Sequence, residues 1–144
     1  RRSSDLDELW DLGIVVVAAA GNYGPGPFSV TVPGISRKII TVGSYDDFRS
    51  GRGPTGCCIV KPEVLAPGSE ILSLSNRNNG FVRKSGTSMA TPIVAGAIAL
   101  LLERYPKMKP EEVKLRLYNT CKRIPSQKDR NWGIVDVDKL LGII

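Results

Sequence analysis

The stretch Lys84–Leu102, K-S-G-T-S-M-A-T-P-I-V-A-G-A-I-A-L-L-L, constrains the fold more than any other part of the chain. A short polar turn runs straight into a segment that is apolar on every side, and a helix of that kind is expected to be buried all round. The turn is then held against a rigid core. Gly86 allows backbone angles that a Cβ forbids, so Ser88 can stand at a sharp helix entry with its hydroxyl exposed. There it meets unpaired backbone N–H groups and the positive end of the helix dipole, a favourable place for developing negative charge. A second reading of the same residues is purely structural. Thr87 or Ser88 caps the helix, and Pro92 sits in the first turn, where its missing donor costs little.

Resemblance separates the two readings. Gly86-Thr87-Ser88-Met89-Ala90-Thr91-Pro92, followed by Val94-Ala95-Gly96-Ala97, resembles the nucleophile motif of the subtilisin-like serine proteases. That resemblance implies that Ser88 attacks a peptide carbonyl. Val15-Val16-Val17-Ala18-Ala19-Ala20-Gly21-Asn22 is similar to a second motif of the same family, whose asparagine donates a hydrogen bond to the oxyanion. Taken alone, Asn22 would be an ordinary residue for a left-handed turn. The resemblance also implies that Ala19, Ala20 and Gly21 bind substrate. Through Pro33-Gly34 it aligns Thr31 with the residue that floors the pocket for the side chain preceding the cut.

At 144 residues the chain is one domain or a piece of one, with 42% hydrophobic and 24% charged residues, ordinary values for a globular protein. The longest apolar run, Ile93–Leu102, is half of what a bilayer span requires, so no membrane partner is expected. A net charge of +6 raises the question of nucleic acid. The basic residues are scattered as singles and pairs such as Arg83-Lys84 and Lys122-Arg123, without a stripe of interleaved aromatics, so no nucleic-acid partner is expected either. Cys57, Cys58 and Cys121 are odd in number and lack the spacing of a zinc or redox site. Free thiols favour a reducing compartment, so the expectation is cytoplasmic, with secretion as the alternative. Pro92-Ile93-Val94-Ala95-Gly96 also resembles the intracellular branch of the bacterial family. The sequence contains no histidine, and a serine hydroxyl is a weak nucleophile without a general base. A cysteine nucleophile at Cys57 or Cys58 fails on the same ground.

Along the chain, Ser4 and Asp7 form an N-cap pattern ahead of Leu6, Leu9 and Trp10 at helical spacing, and Gly13 ends that helix. Ile14–Ala19 has the β-branched composition of a parallel strand covered on both faces. Further strands are expected at Ile39–Gly43 and Ile71–Leu74, Lys61–Gly68 resembles a segment of the same family that holds a short strand stopped by Pro-Gly, and a polar loop Ser75–Gly80 leads to Phe81-Val82 and the turn before Ser88. Asp46–Thr55 is polar and turn-rich and is expected at the surface. Pro110-Glu111-Glu112 opens a helix whose apolar residues are Val113, Leu115, Leu117 and Cys121. Gly133–Val137 resembles the closing strand of the same family, and Asp138–Ile144 is expected to form a short terminal helix.

The expected fold is α/β, a subtilisin-like three-layer α/β/α arrangement with a mostly parallel sheet, of which residues 1–144 are the carboxyl-terminal portion. In this protease class the chain order is aspartate, histidine, serine. The resemblance therefore implies a serine endopeptidase whose aspartate and histidine belong to an amino-terminal half not included in this sequence. The expected partners are that half and a peptide or protein substrate. The chain alone is expected to be inactive and to self-associate. No cofactor is expected, with calcium possible in the intact enzyme. The alternative is a binding or scaffold module that keeps the fold without the chemistry.

Overall fold

Parallel strands cannot be joined by tight turns, and the apolar runs of this chain are spaced widely enough for the long crossovers they need. The computed structural model describes residues 2–56, 58–77, 79–125 and 131–143; Cys57 and the end of the expected terminal helix, Ile144, lie outside the described residues. Helix α1 (Arg2–Asp11) leads to β1 (Val17–Ala19), β2 (Ile40–Ser44) and β3 (Val64–Ala66). The pair β4 (Ile71–Leu74) and β5 (Phe81–Lys84) comes next, then α2 (Thr87–Arg104), α3 (Pro110–Thr120), β6 (Gly133–Ile134) and α4 (Val137–Leu141). Four strands form one parallel sheet in the order β1-β2-β3-β6, with Val17 opposite Ile40, Val42 opposite Val64 and Val64 opposite Gly133. β4 and β5 pair antiparallel and apart from that sheet. The architecture is the expected α/β with a mostly parallel sheet.

Every residue of β2 is buried, as befits a strand covered on both faces. β1 is not such a strand. It is three residues long and occupies the sheet edge, Val15, Val16 and Val17 are only half-buried, and Ile14 is 51% exposed. Its composition is that of an interior strand, yet among the described residues its single neighbour is β2.

α1 starts at Arg2, so Ser4 lies inside the helix rather than at its cap. Its end is the expected one: Gly13 N–H donates to Trp10 O at 2.9 Å and Ile14 N–H to Leu9 O at 3.1 Å, the paired bonds that close a Schellman terminus. α2 departs further from expectation. It packs on β1, β2 and β3 through Thr87, Ala90, Val94, Ala97, Ile98 and Leu101. Pro92, Gly96, Ala99 and Leu100 face outward, Leu100 being 50% exposed, because one sheet covers only one side of a helix. Pro92 is also not in the first turn but inside the helix, where it removes the bond to the Ser88 carbonyl.

α3 begins with Pro110 at its first position, and the Glu112 carboxylate accepts from Lys109 N–H at 2.7 Å. Val113 and Leu117 enter the core beside Cys121, but Leu115 is 60% exposed and belongs to the outer face. β6 stops at Ile134, and α4 starts at Val137 with Asp136 as its cap, accepting from Lys139 N–H at 3.1 Å.

A polar knot lies under the sheet. The Lys61 side chain is 0% exposed, and its Nζ donates to Ile39 O at 2.9 Å, Thr41 Oγ1 at 3.0 Å and Glu63 Oε1 at 2.7 Å. Lys114 Nζ reaches the same Glu63 oxygen at 2.8 Å, and Glu63 Oε2 accepts from Thr41 N–H at 2.9 Å. Burial pushes the Lys61 ammonium down to about 8, against the pull of Glu63. The segment Asp46–Thr55 is likewise not all surface: Asp47, Ser50, Gly51 and Thr55 are buried. Ser50 Oγ accepts from Ser44 N–H at 2.9 Å, so the loop folds back over the end of β2. Among the described residues no helix is long and apolar enough to cross a membrane.

Candidate active site

Both candidate site segments emerge at the carboxyl end of the sheet, the edge where open α/β sheets hold their sites. After β1, Ala20 is fully buried, and its carbonyl accepts from Thr31 N–H at 2.9 Å and from the Thr31 hydroxyl at 3.4 Å. The next residue, Gly21, has φ +94, and a Cβ there would collide with the Thr31 side chain. Gly51 N–H donates to Gly21 O at 2.7 Å from the other side. Ala19, Ala20, Gly21 and Thr31 are thus brought together in one small assembly.

Asn22 is joined to the turn before α2 across 65 residues of sequence. Its Oδ1 accepts from Thr87 N–H at 2.9 Å and from the Thr87 hydroxyl at 3.1 Å, and Thr87 Oγ1 accepts in turn from Gly21 N–H at 3.1 Å. The amide oxygen of Asn22 is therefore occupied, and its Nδ2 carries no partner among the described residues. The N-cap position of α2 is Gly86 at φ +143, where a Cβ would come within 3.1 Å of Asn22 Nδ2. Neither Thr87 nor Ser88 caps the helix with its own side chain. The cap is supplied by Asn22, from another element.

Ser88 follows directly. It is exposed at the second position of α2, and neither its hydroxyl nor its backbone N–H has a partner among the described residues. An exposed hydroxyl thus stands beside an unpaired backbone donor, and the neighbouring residue is tied to an asparagine whose own amide donor is free. The positive helix end adds to the potential at this point.

Two supports of the turn were not legible beforehand. Gly86 N–H donates to Gly68 O at 2.8 Å, and Gly68 N–H and Ser69 N–H donate to the Asp46 carboxylate at 2.8 and 3.1 Å. Partial burial works against the ionised Asp46 carboxyl, but hydrogen bonds from the Ser44 hydroxyl and those two amides outweigh it and hold it below the usual carboxylate range. The other support is Thr87 itself, whose hydroxyl beside a serine reads in sequence only as a cap. Among the described residues no group of three or more acidic, cysteine or histidine side chains is placed to hold a metal ion.

Comparison with known proteins gives the family of the chain. The Subtilase family matches residues 3–139. The chain is 42% identical to the serine protease AprX of Bacillus subtilis (strain 168) and 35% identical to Subtilisin DY of Bacillus licheniformis, over 89% and 92% of its length. It is 34% identical, over 88% of its length, to the halolysin-like extracellular serine protease Nep of Natrialba magadii. It spans 35%, 48% and 23% of those three proteins, less than half of each. Among solved structures, the CspB protease of Clostridium perfringens superposes with TM-score 0.70 at 34% identity, over 82% of this chain and 29% of that one. A protease from Pseudoalteromonas arctica superposes with TM-score 0.81 at 26% identity, over 98% and 46%. The family match over residues 3–139 and these identities show that this chain belongs to the subtilase family.

Proposed function

We propose that the chain is the nucleophile-bearing part of a serine endopeptidase that cleaves peptide bonds through an acyl-enzyme. Ser88 Oγ attacks the carbonyl, and Ser88 N–H and Asn22 Nδ2 receive the oxyanion. The observation that carries this reading is the tether of Asn22 to Thr87, which leaves these two donors unpaired at one exposed serine. Ala19, Ala20 and Gly21 hold the substrate, and Thr31 floors the pocket beside them.

The sequence holds no histidine, so the proton acceptor comes from a partner segment that also carries the aspartate. The exposed edge of β1 and the outward face of α2 at Pro92, Gly96, Ala99 and Leu100 are where that segment docks. Without it, the same open edge and apolar face favour self-association, and the chain is inactive. The extracellular relative favours secretion over the expected cytoplasm. The missing base also favours a second reading, a binding module that keeps the fold without chemistry.

A fluorophosphonate probe tests the assignment. Supplied with an amino-terminal half carrying aspartate and histidine, the chain is labelled at Ser88, and Ser88→Ala is not labelled. Asn22→Ala then slows turnover roughly a hundred- to a thousandfold with little change in substrate binding, a size taken over from a subtilisin. Equal labelling without the second half would defeat the role given to the histidine.

A further inference from the structure

At the opposite end of the sheet from Ser88, α1, α3 and the residues entering β2 and β6 enclose an open cleft of about 530 Å³, within the size range of small-ligand sites. Trp10 and Trp132, the two tryptophans of the sequence, both line it. They are fixed in place. Trp10 Nε1–H donates to Glu111 Oε1 at 2.8 Å, and Tyr118 meets Trp132 edge to face with ring centres 5.6 Å apart. The Lys114 ammonium lies 5.6 Å from the Trp10 ring centre and 6.0 Å from that of Trp132. The exposed Leu115 and Tyr118 form the apolar rim.

The charges around this cleft are spoken for, with one exception. Asp11 pairs with Lys38 at 2.6 Å, Glu111 holds Trp10, and Lys114 is bound to Glu63 and to the carbonyls of Arg37, Lys38 and Ile39. The exposed Arg37 guanidinium, which also lines the cleft, has no partner among the described residues. A single free guanidinium beside an aromatic wall matches a monoanion on an apolar body. The nearby carboxylates of Asp11 and Glu111 disfavour a dianion such as phosphate.

We propose that this cleft is a binding site for a small aryl or alkyl carboxylic acid, its apolar body against Trp132, Tyr118 and Leu115 and its carboxylate on Arg37. The site does not depend on the chemistry assigned to Ser88. Because both tryptophans line it, intrinsic fluorescence reports on it directly. Titration of the 144-residue protein with 3-phenylpropionate should give a saturable fluorescence change at about millimolar concentration, the range open to so small a ligand. The neutral analogue 3-phenyl-1-propanol should bind about tenfold more weakly, as should 3-phenylpropionate to Arg37→Gln. Leu115→Ser, on an exposed helix face, should also weaken binding with an unchanged circular dichroism spectrum. No saturable change, equal affinity for acid and alcohol, or an unaffected Arg37→Gln would each overturn the proposal. So would binding of a peptide ending in phenylalanine where the free acid does not bind, which would make the ligand a chain terminus.

Discussion

Replacing Thr87 by valine changes one oxygen for one methyl group and leaves the volume nearly constant, so the perturbation is confined to hydrogen bonding. Thr87 is fully buried, and its hydroxyl both donates to Asn22 Oδ1 and accepts from Gly21 N–H, each at 3.1 Å. Loss of the first bond costs about 1 kcal/mol, and leaving the Gly21 donor unsatisfied costs about 1–3 kcal/mol more. A total near 3 kcal/mol is therefore expected for Thr87→Val. Thr87→Ser keeps both bonds and loses one buried methyl group, about 1 kcal/mol. Urea unfolding followed by tryptophan fluorescence gives the two midpoints at constant slope. The same pair of variants separates stability from function. Asn22 is held by two bonds in the serine variant and by one in the valine variant, so Ser88 labelling in the reassembled enzyme should slow more with valine. A valine variant as stable and as reactive as the serine variant would refute the view that this hydroxyl positions Asn22.

Two further expectations concern buried titratable groups. The native Lys61 ammonium releases its proton near 8 and the unfolded one near 10.5, so the unfolded state binds more protons between those values and stability rises with pH across that window. The rise is on the order of 3 kcal/mol and should vanish in Lys61→Met, in which Glu63 keeps Lys114; identical pH profiles would show that Lys61 does not titrate there. Burial, with help from the Asp136 charge, pushes the Cys121 thiol up to about 12 from 9.0, which lowers its thiolate fraction at pH 8 about a thousandfold. Iodoacetamide at pH 8 should modify exposed Cys58 long before Cys121, as read by peptide mass spectrometry, and comparable rates would contradict the burial of Cys121.

Legibility followed locality. β4 spans Ile71–Leu74 as expected, and β2 is shifted by one residue, because alternation and flanking turns act within a few positions. Ser88 and Asn22 stood out through their motifs, but the hydroxyl of Thr87 did not, since its partners lie some 65 residues away. Leu115 has the spacing of a core residue and points outward, because the composition of a helix cannot say which of two apolar flanks meets a neighbour. The same holds for β1 and α2. Their residues are suited to burial on both sides, whereas the described residues cover only one. Ser50 and Gly51 looked like surface for the opposite reason: their partners are backbone groups, which leave no trace in a polarity pattern.

The bond between Asn22 and Thr87 also orders events in time. Closing a loop of 65 residues costs more entropy than any local turn, and the sheet that brings the two ends together is parallel, a slow topology to assemble. A chain folded only in its first half or only in its second holds either the asparagine or the serine in position but not both. The proposed donor pair beside Ser88 therefore forms only once β1 and α2 have docked, and on that reading a half-made chain has no means of holding an oxyanion.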